Sequence, residues 1–247
     1  MAAEYAIAKN EIDRAIDNVD PRKVTMLAAI LALGNAADAV EITSVGYVMS
    51  EIQPMSTGEK VWLGSSVFVG MLIGGIIFGW FSDRVGRRPC LLACLWLNFL
   101  ATVVLAAVPY HGVDFLTWCY FIAGVGIGGS SPIVFTLGAE LMPAHFRGQY
   151  LTAIAGSWMF GTIYASLVGW VLLGKNLNQE KIVPVEDGGN WRVFVGMCAL
   201  PAAAMLVLTH GWVPESPLFL LNSGRYELVR KFIKSFSARY GGREGDR

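Results

Sequence analysis

Six apolar runs dominate this sequence, each long enough for the roughly 20 residues that a membrane-spanning helix needs. They fall at about 24–48, 61–81, 89–109, 115–138, 150–173 and 192–213. The length of 247 residues would by itself suggest one or two soluble domains, but only 15% of the residues are charged and 54% are hydrophobic. A soluble domain is usually about a quarter charged. The expected fold class is therefore an all-α membrane protein with six transmembrane helices. The expected organisation is a cytoplasmic segment over 1–23, a six-helix bundle over 24–213 and a cytoplasmic tail over 214–247.

Lysine and arginine set the orientation of such a bundle. Fifteen of them fall in the N-terminal segment, in the loops after the second and fourth spans, and after residue 213. The other side holds four: Lys60, Lys175, Lys181 and Arg192. This bias predicts a cytoplasmic N-terminus. Because the charges are segregated in this way, a net charge of zero says little about partners, and no nucleic-acid partner is expected.

The ends of the chain are amphipathic. Ile12, Ile16 and Val19 recur at helical spacing among charges, which predicts a surface helix that Pro21 ends. After the sixth span a turn leads into further amphipathic helices, with Leu218, Leu221, Leu228 and Phe232 expected to face protein or membrane. Cys90, Cys94, Cys119 and Cys198 all lie in apolar runs with no CxxC pair, so neither disulfide nor metal is expected. The sequence has no cleavable signal peptide, no N-x-S/T sequon and no nucleotide-binding loop. The lack of a nucleotide-binding loop argues against an ATP-driven pump. No cofactor and no catalysis are expected.

Two acids stand inside the first run, in "GNAADAVEIT". A carboxylate at mid-depth costs on the order of 2.5–3.5 kcal/mol on insertion scales, and such residues mark functional sites by default. Asp38 and Glu41 are three apart and so share one helix face. That face must point into the bundle or a wet cavity. Neighbouring carboxylates cannot both ionise cheaply, so one is expected to hold a proton. The competing reading is a buried structural hydrogen-bonding pair.

The loop after the second span reads "GWFSDRVGRRP". Gly79 would allow close helix approach, and Gly86 a tight turn. With Asp83, Arg84, Arg87 and Arg88 the spacing is G-x-x-x-D-R-x-G-R-R, which resembles the signature of the major facilitator superfamily between its second and third helices. Other stretches agree in order. "GVGIGGSSPIVF" resembles the glycine-rich fourth helix, "AELMPAHFRG" carries Glu140 and Arg147 of the motif after it, and "PESPLFLL" followed by Gly224 and Arg225 resembles the sugar-porter motif after the sixth helix. Within that superfamily the sequence is most similar to the group of synaptic vesicle glycoprotein 2 and related organic-solute and sugar transporters.

The resemblance implies one half of a major facilitator fold, made of two three-helix inverted repeats, and a secondary transporter of a small organic solute by alternating access. It implies a cytoplasmic gate of Gly79, Asp83, Arg84, Gly86, Arg87, Arg88, Glu140, Arg147 and Glu215. A proton or substrate site would use Asp38, Glu41, Asn35, Tyr120, Ser130, Ser131, Trp158 and Tyr164 around a central aqueous cavity. Proton-coupled sugar porters carry an arginine where this chain has Tyr120. A cationic partner for Asp38 must therefore come from elsewhere, or the two acids share a proton. A second departure is Leu218, where a basic residue usually follows the PESP motif. The implied partners are the solute, the lipid bilayer, protons if transport is coupled, and a missing C-terminal six-helix half. The alternative is a non-transporting or regulatory vesicle-membrane relative, or a half-size chain that pairs with a second half.

Overall fold

The computed structural model describes residues 2–52, 55–108, 111–173, 190–224 and 226–241. Arg225, Lys175 and Lys181, which carry part of the motif and charge reading, lie outside the described residues. Six helices are long and apolar enough to cross a membrane: α2 (Pro21–Glu51), α3 (Thr57–Val85), α4 (Arg87–Ala107), α5 (Val113–Leu141), α6 (Arg147–Leu172) and α7 (Trp191–Trp212). Each contains one of the runs predicted from sequence or matches it to within a few residues. Three more helices flank them: α1 (Ala2–Asp17), α8 (Pro217–Asn222) and α9 (Tyr226–Tyr240).

Local chemistry sets the starts. Asp20 accepts from the Arg22 backbone N–H at 2.9 Å and caps α2, with Pro21 in its first turn. Proline's fixed φ and missing donor suit that position. The expectation that Pro21 ends the preceding helix is thus corrected: α1 stops at Asp17 and Pro21 opens the next helix. Ser56 and Glu59 form a reciprocal capping box at the start of α3.

Packing follows two equivalent seams. In the first, α3 lies against α5. A Cβ on Gly74 would fall 2.0 Å from the Val125 carbonyl oxygen, and one on Gly128 2.0 Å from that of Met71. Only glycine lets these backbones touch, as small residues do at membrane helix interfaces. In the second seam, α6 lies against α2, where a Cβ on Gly161 would meet the Ala36 carbonyl oxygen at 2.1 Å. The helices α2 and α5 occupy equivalent central places, α3 and α6 equivalent flanking ones, and α4 and α7 close the back of the bundle. The reading of Gly79 as a close-approach residue is corrected, because nothing lies within 4 Å of a Cβ placed there. Gly79 sits beyond the seam, at the stretch of α3 that also exposes Ile76 and Trp80.

At one end of the bundle α1, α8 and α9 pack together beneath the turns that join α3 to α4 and α5 to α6. Ile12, Ile16 and Val19 are buried there, as their spacing suggested. The Asp20 N–H donates to the Tyr240 carbonyl at 2.9 Å, and Lys23 Nζ to the Arg239 carbonyl at 2.7 Å. The inward stripe of α9 is Val229, Phe236 and Tyr240, with Phe232 half-buried. Leu228 is 39% exposed. Leu221 is buried and Leu218 half-buried, in line with the sequence.

Candidate functional site

The acids of α2 turn toward α4 and α5. Asp38 is 1% exposed, and its two carboxyl oxygens lie 2.9 and 3.1 Å from the Ser130 hydroxyl of α5, which donates to them. Glu41 is 2% exposed and accepts from Thr102 Oγ1 of α4 at 2.9 Å. Each acid thus has its own hydroxyl partner on a different helix. No hydrogen bond joins the two carboxyls, and no lysine or arginine pairs with either, among the described residues. The expectation that these acids face a central aqueous cavity is corrected here. They point into the interior of the bundle, where each meets a hydroxyl from α4 or α5.

Tyr120 does not reach Asp38. It is buried, and its hydroxyl lies 3.4 Å from that of Ser44, which donates to the Glu41 backbone carbonyl at 2.7 Å. Tyr120 therefore packs beside α2 about a turn beyond Glu41. Asn35 is turned the other way. Its amide donates to the Ile154 carbonyl at 2.9 Å, while Ser157 donates to the Ala32 carbonyl at 2.7 Å, so both stitch α2 to α6. Trp158 and Ser131 are half-buried. Tyr164 is half-buried and donates to the Met197 carbonyl at 3.0 Å. With Ala36, Val40 and Pro201 it lines an apolar groove of about 380 Å³ between α2, α6 and α7. These aromatic residues and the acids do not form one site within this chain.

A second cluster sits at the α3–α4 turn. Gly86, at φ +126°, is both the residue that follows α3 and the residue before α4. A Cβ there would lie 2.6 Å from a Glu215 carboxyl oxygen, so glycine is required twice over. Glu215 accepts from the backbone N–H groups of Arg87 at 2.9 Å, Arg88 at 3.1 Å and Ser216 at 2.9 Å. A carboxylate on free N–H groups at a helix start satisfies orphan donors and the helix dipole together. Arg87 pairs with Glu140 of α5 at 2.9 Å, and the Ser216 hydroxyl donates to the other oxygen of Glu140. Arg88 donates to the His210 carbonyl near the end of α7 at 2.7 Å. The residues of the α3–α4 motif thereby join α5, α7 and α8.

Other gate residues stay outside this network. Asp83 has a side chain 73% exposed, 3.9 Å from Arg87. The Arg84 guanidinium stacks on Trp80 at 3.7 Å from the ring centre. Arg147 is exposed at the start of α6, without an ion pair among the described residues. Nearby, burial lifts the Tyr240 phenol above its ordinary range, and its O–H donates to the Trp212 carbonyl.

Sequence reasoning missed Thr102 beside Glu41 and buried Asn98 one turn from it, and Ser216 and the His210 carbonyl at the turn. Neither Thr102 nor Asn98 belongs to a motif. Their signal is periodicity, since polar residues four apart in an apolar run share a helix face.

A family model described as sugar (and other) transporter matches residues 24–241. The chain belongs to this transporter family, within the major facilitator superfamily. Synaptic vesicle glycoprotein 2C of Homo sapiens is 34% identical over 212 residues, covering 83% of this chain and 28% of that protein. Synaptic vesicle glycoprotein 2A of Rattus norvegicus is 36% identical over 209 residues, with the same shares of 83% and 28%. The chain thus spans under a third of the length of the relatives it matches. Among solved structures, a partially occluded inward open conformation of the xylose transporter XylE from E. coli superposes with a TM-score of 0.73 at 23% identity, over 87% of this chain and 54% of that one. At this identity the likeness is one of fold. The chain is an integral multi-pass membrane protein with the fold of an N-terminal half of this superfamily.

Proposed function

We propose that this chain forms half of a secondary transporter that moves a small organic solute, of the size and polarity of a sugar, by alternating access. The carrying observation is the pairing of buried Asp38 with Ser130 between the two central helices, α2 and α5, in a bundle of the sugar-transporter family. In this reading a proton on Asp38 and Glu41 is the coupling ion. The Arg87–Glu140–Glu215 cluster is a latch that holds one state and opens in the other. Single exposed pairs contribute little, but a set that switches together can bias a nearly balanced equilibrium. The lysine and arginine bias puts this latch, the 1–23 segment and the 214–247 segment on the cytoplasmic side. A second six-helix half completes the translocation path, and substrate binds between the halves near the midplane. Trp158 offers that path a flat face and an N–H donor.

The test is uptake by proteoliposomes carrying the product of the full native reading frame, with labelled pentoses, hexoses and organic ions offered in turn and a pH gradient imposed or collapsed. One class should accumulate, with a rate that follows the gradient. Asp38→Asn should abolish the pH dependence and leave insertion intact. Unchanged pH dependence in that variant would falsify the coupling assignment. A non-transporting, regulatory role is favoured by one observation, the tyrosine at position 120 where proton-coupled porters carry arginine. Absence of uptake for every class offered would support it.

A further inference from the structure

Asn98 of α4 is 1% exposed, and both its amide nitrogen and its amide oxygen lack a hydrogen-bond partner among the described residues. Leaving a buried polar group unmade costs about 1–3 kcal/mol, so such a residue in the middle of a span calls for a reason. Its surroundings give one. Asn98 lies one turn before Thr102 on the same face of α4, and the Thr102 hydroxyl also approaches the Asn98 backbone carbonyl, at 3.0 Å. Across the interface, a Cβ on Gly126 of α5 would fall 3.1 Å from the Asn98 Cβ, and Gly126 is one turn from Ser130. Cys94, one turn back on α4, meets Gly129, the neighbour of Ser130. Asn98 therefore stands between the level of the Asp38–Ser130 pair and the level of the Glu41–Thr102 pair.

We infer that Asn98 is the third member of the acid centre, a positioning residue that links Asp38 to Glu41 through bridging water. The chemistry suits an amide in particular. A protonated carboxyl needs an acceptor for its O–H, and an ionised one needs a donor. The amide oxygen serves the first and the amide nitrogen the second. Ser130 and Thr102 each hold one acid but leave the two unconnected. An amide with both functions free, set between them, completes a hydrogen-bonded chain from α5 through α2 to α4. A proton arriving at either acid can then be shared with the other. Buried water in proteins commonly occupies such sites, making two to four bonds to otherwise unsatisfied groups. The other titratable side chains facing the acids are the thiols of Cys94 on α4 and Cys198 on α7 and the phenol of Tyr120 on α5, all uncharged donors. No ionisable side chain of α3 or α6 faces the acids among the described residues.

The inference rests on the proton-holding role proposed for Asp38 and Glu41, and the test separates the two. The chain in detergent or nanodiscs is titrated while the C=O stretch of protonated carboxyls is followed by difference infrared spectroscopy. Asp38→Asn and Glu41→Gln assign the bands. In the unaltered chain the two acids should titrate as a coupled pair, so that removing one moves the midpoint of the other. In Asn98→Leu, which keeps the number and branching of side-chain heavy atoms and removes both polar functions, the midpoints should shift by about one pH unit and the coupling should fall. Asn98→Gln should restore part of it. Circular dichroism on each variant confirms that the bundle is intact. Midpoints and coupling in Asn98→Leu equal to those of the unaltered chain overturn the role of Asn98 while leaving the proton-holding acids standing. No assignable carboxyl band in the unaltered chain overturns both.

Discussion

Glu140 and Glu215 at the α3–α4 turn and Asp38 and Glu41 in mid-span are all carboxylates drawn into one bundle, yet they are held by opposite means. At the turn the acids meet an arginine, a serine hydroxyl and backbone N–H groups fixed at a helix start. In mid-span each meets one hydroxyl and, among the described residues, no cation. Guanidinium and backbone N–H groups can only donate, so the turn cluster holds its acids with fixed donors. A hydroxyl can donate or accept, so the mid-span partners tolerate either protonation state. The first arrangement locks elements together. The second leaves a group free to change charge without losing its neighbour.

This contrast can be broken in graded steps. The largest effect is expected from Arg87→Ala, which strands Glu140, itself 8% exposed, beside the turn. Removing one partner of a buried pair costs about 3–5 kcal/mol. Because Arg87 itself is 20% exposed, the loss should come at the low end, about 3 kcal/mol, read as a lowered unfolding midpoint in a denaturing-detergent titration. Glu215→Ala should cost about 1–2 kcal/mol in the same assay, the size of a lost helix cap. Its distinguishing sign is faster amide exchange at Arg87 and Arg88. Ser130→Ala removes one neutral donor and should cost about 1 kcal/mol. It should also change the pH response of the chain. If Ser130→Ala destabilised more than Arg87→Ala, the contrast between locked and switchable acids would be wrong. Asp83→Asn closes the series at no more than about 0.5 kcal/mol, since its pair is long and exposed.

The six spans were legible because long apolar runs have few alternatives, and the charges of the turn cluster were legible because they stand in separate short motifs, each continuous in sequence. What escaped was direction. Asp38 and Glu41 could be placed on one face of α2, but whether that face met water or hydroxyls depended on α4, whose polar residues are scattered in an apolar run. Tyr120 was read against Asp38 by position, whereas the observed packing carries it to Ser44. Asn35 looked like a cavity residue, yet its amide serves the α2–α6 seam. Glu215 was expected as a latch charge, and its grip on the start of α4 needed the three-dimensional turn to be seen.

Gly86 also has a mechanical consequence. It ends one span and begins the next with no loop between, so α3 and α4 meet at a one-residue elbow. A longer linker would absorb a tilt of one helix as slack. An elbow hands the tilt on, and because Glu215 grips it from α8, a tug on the segment beyond α7 arrives at the far side of the bundle as a turning moment.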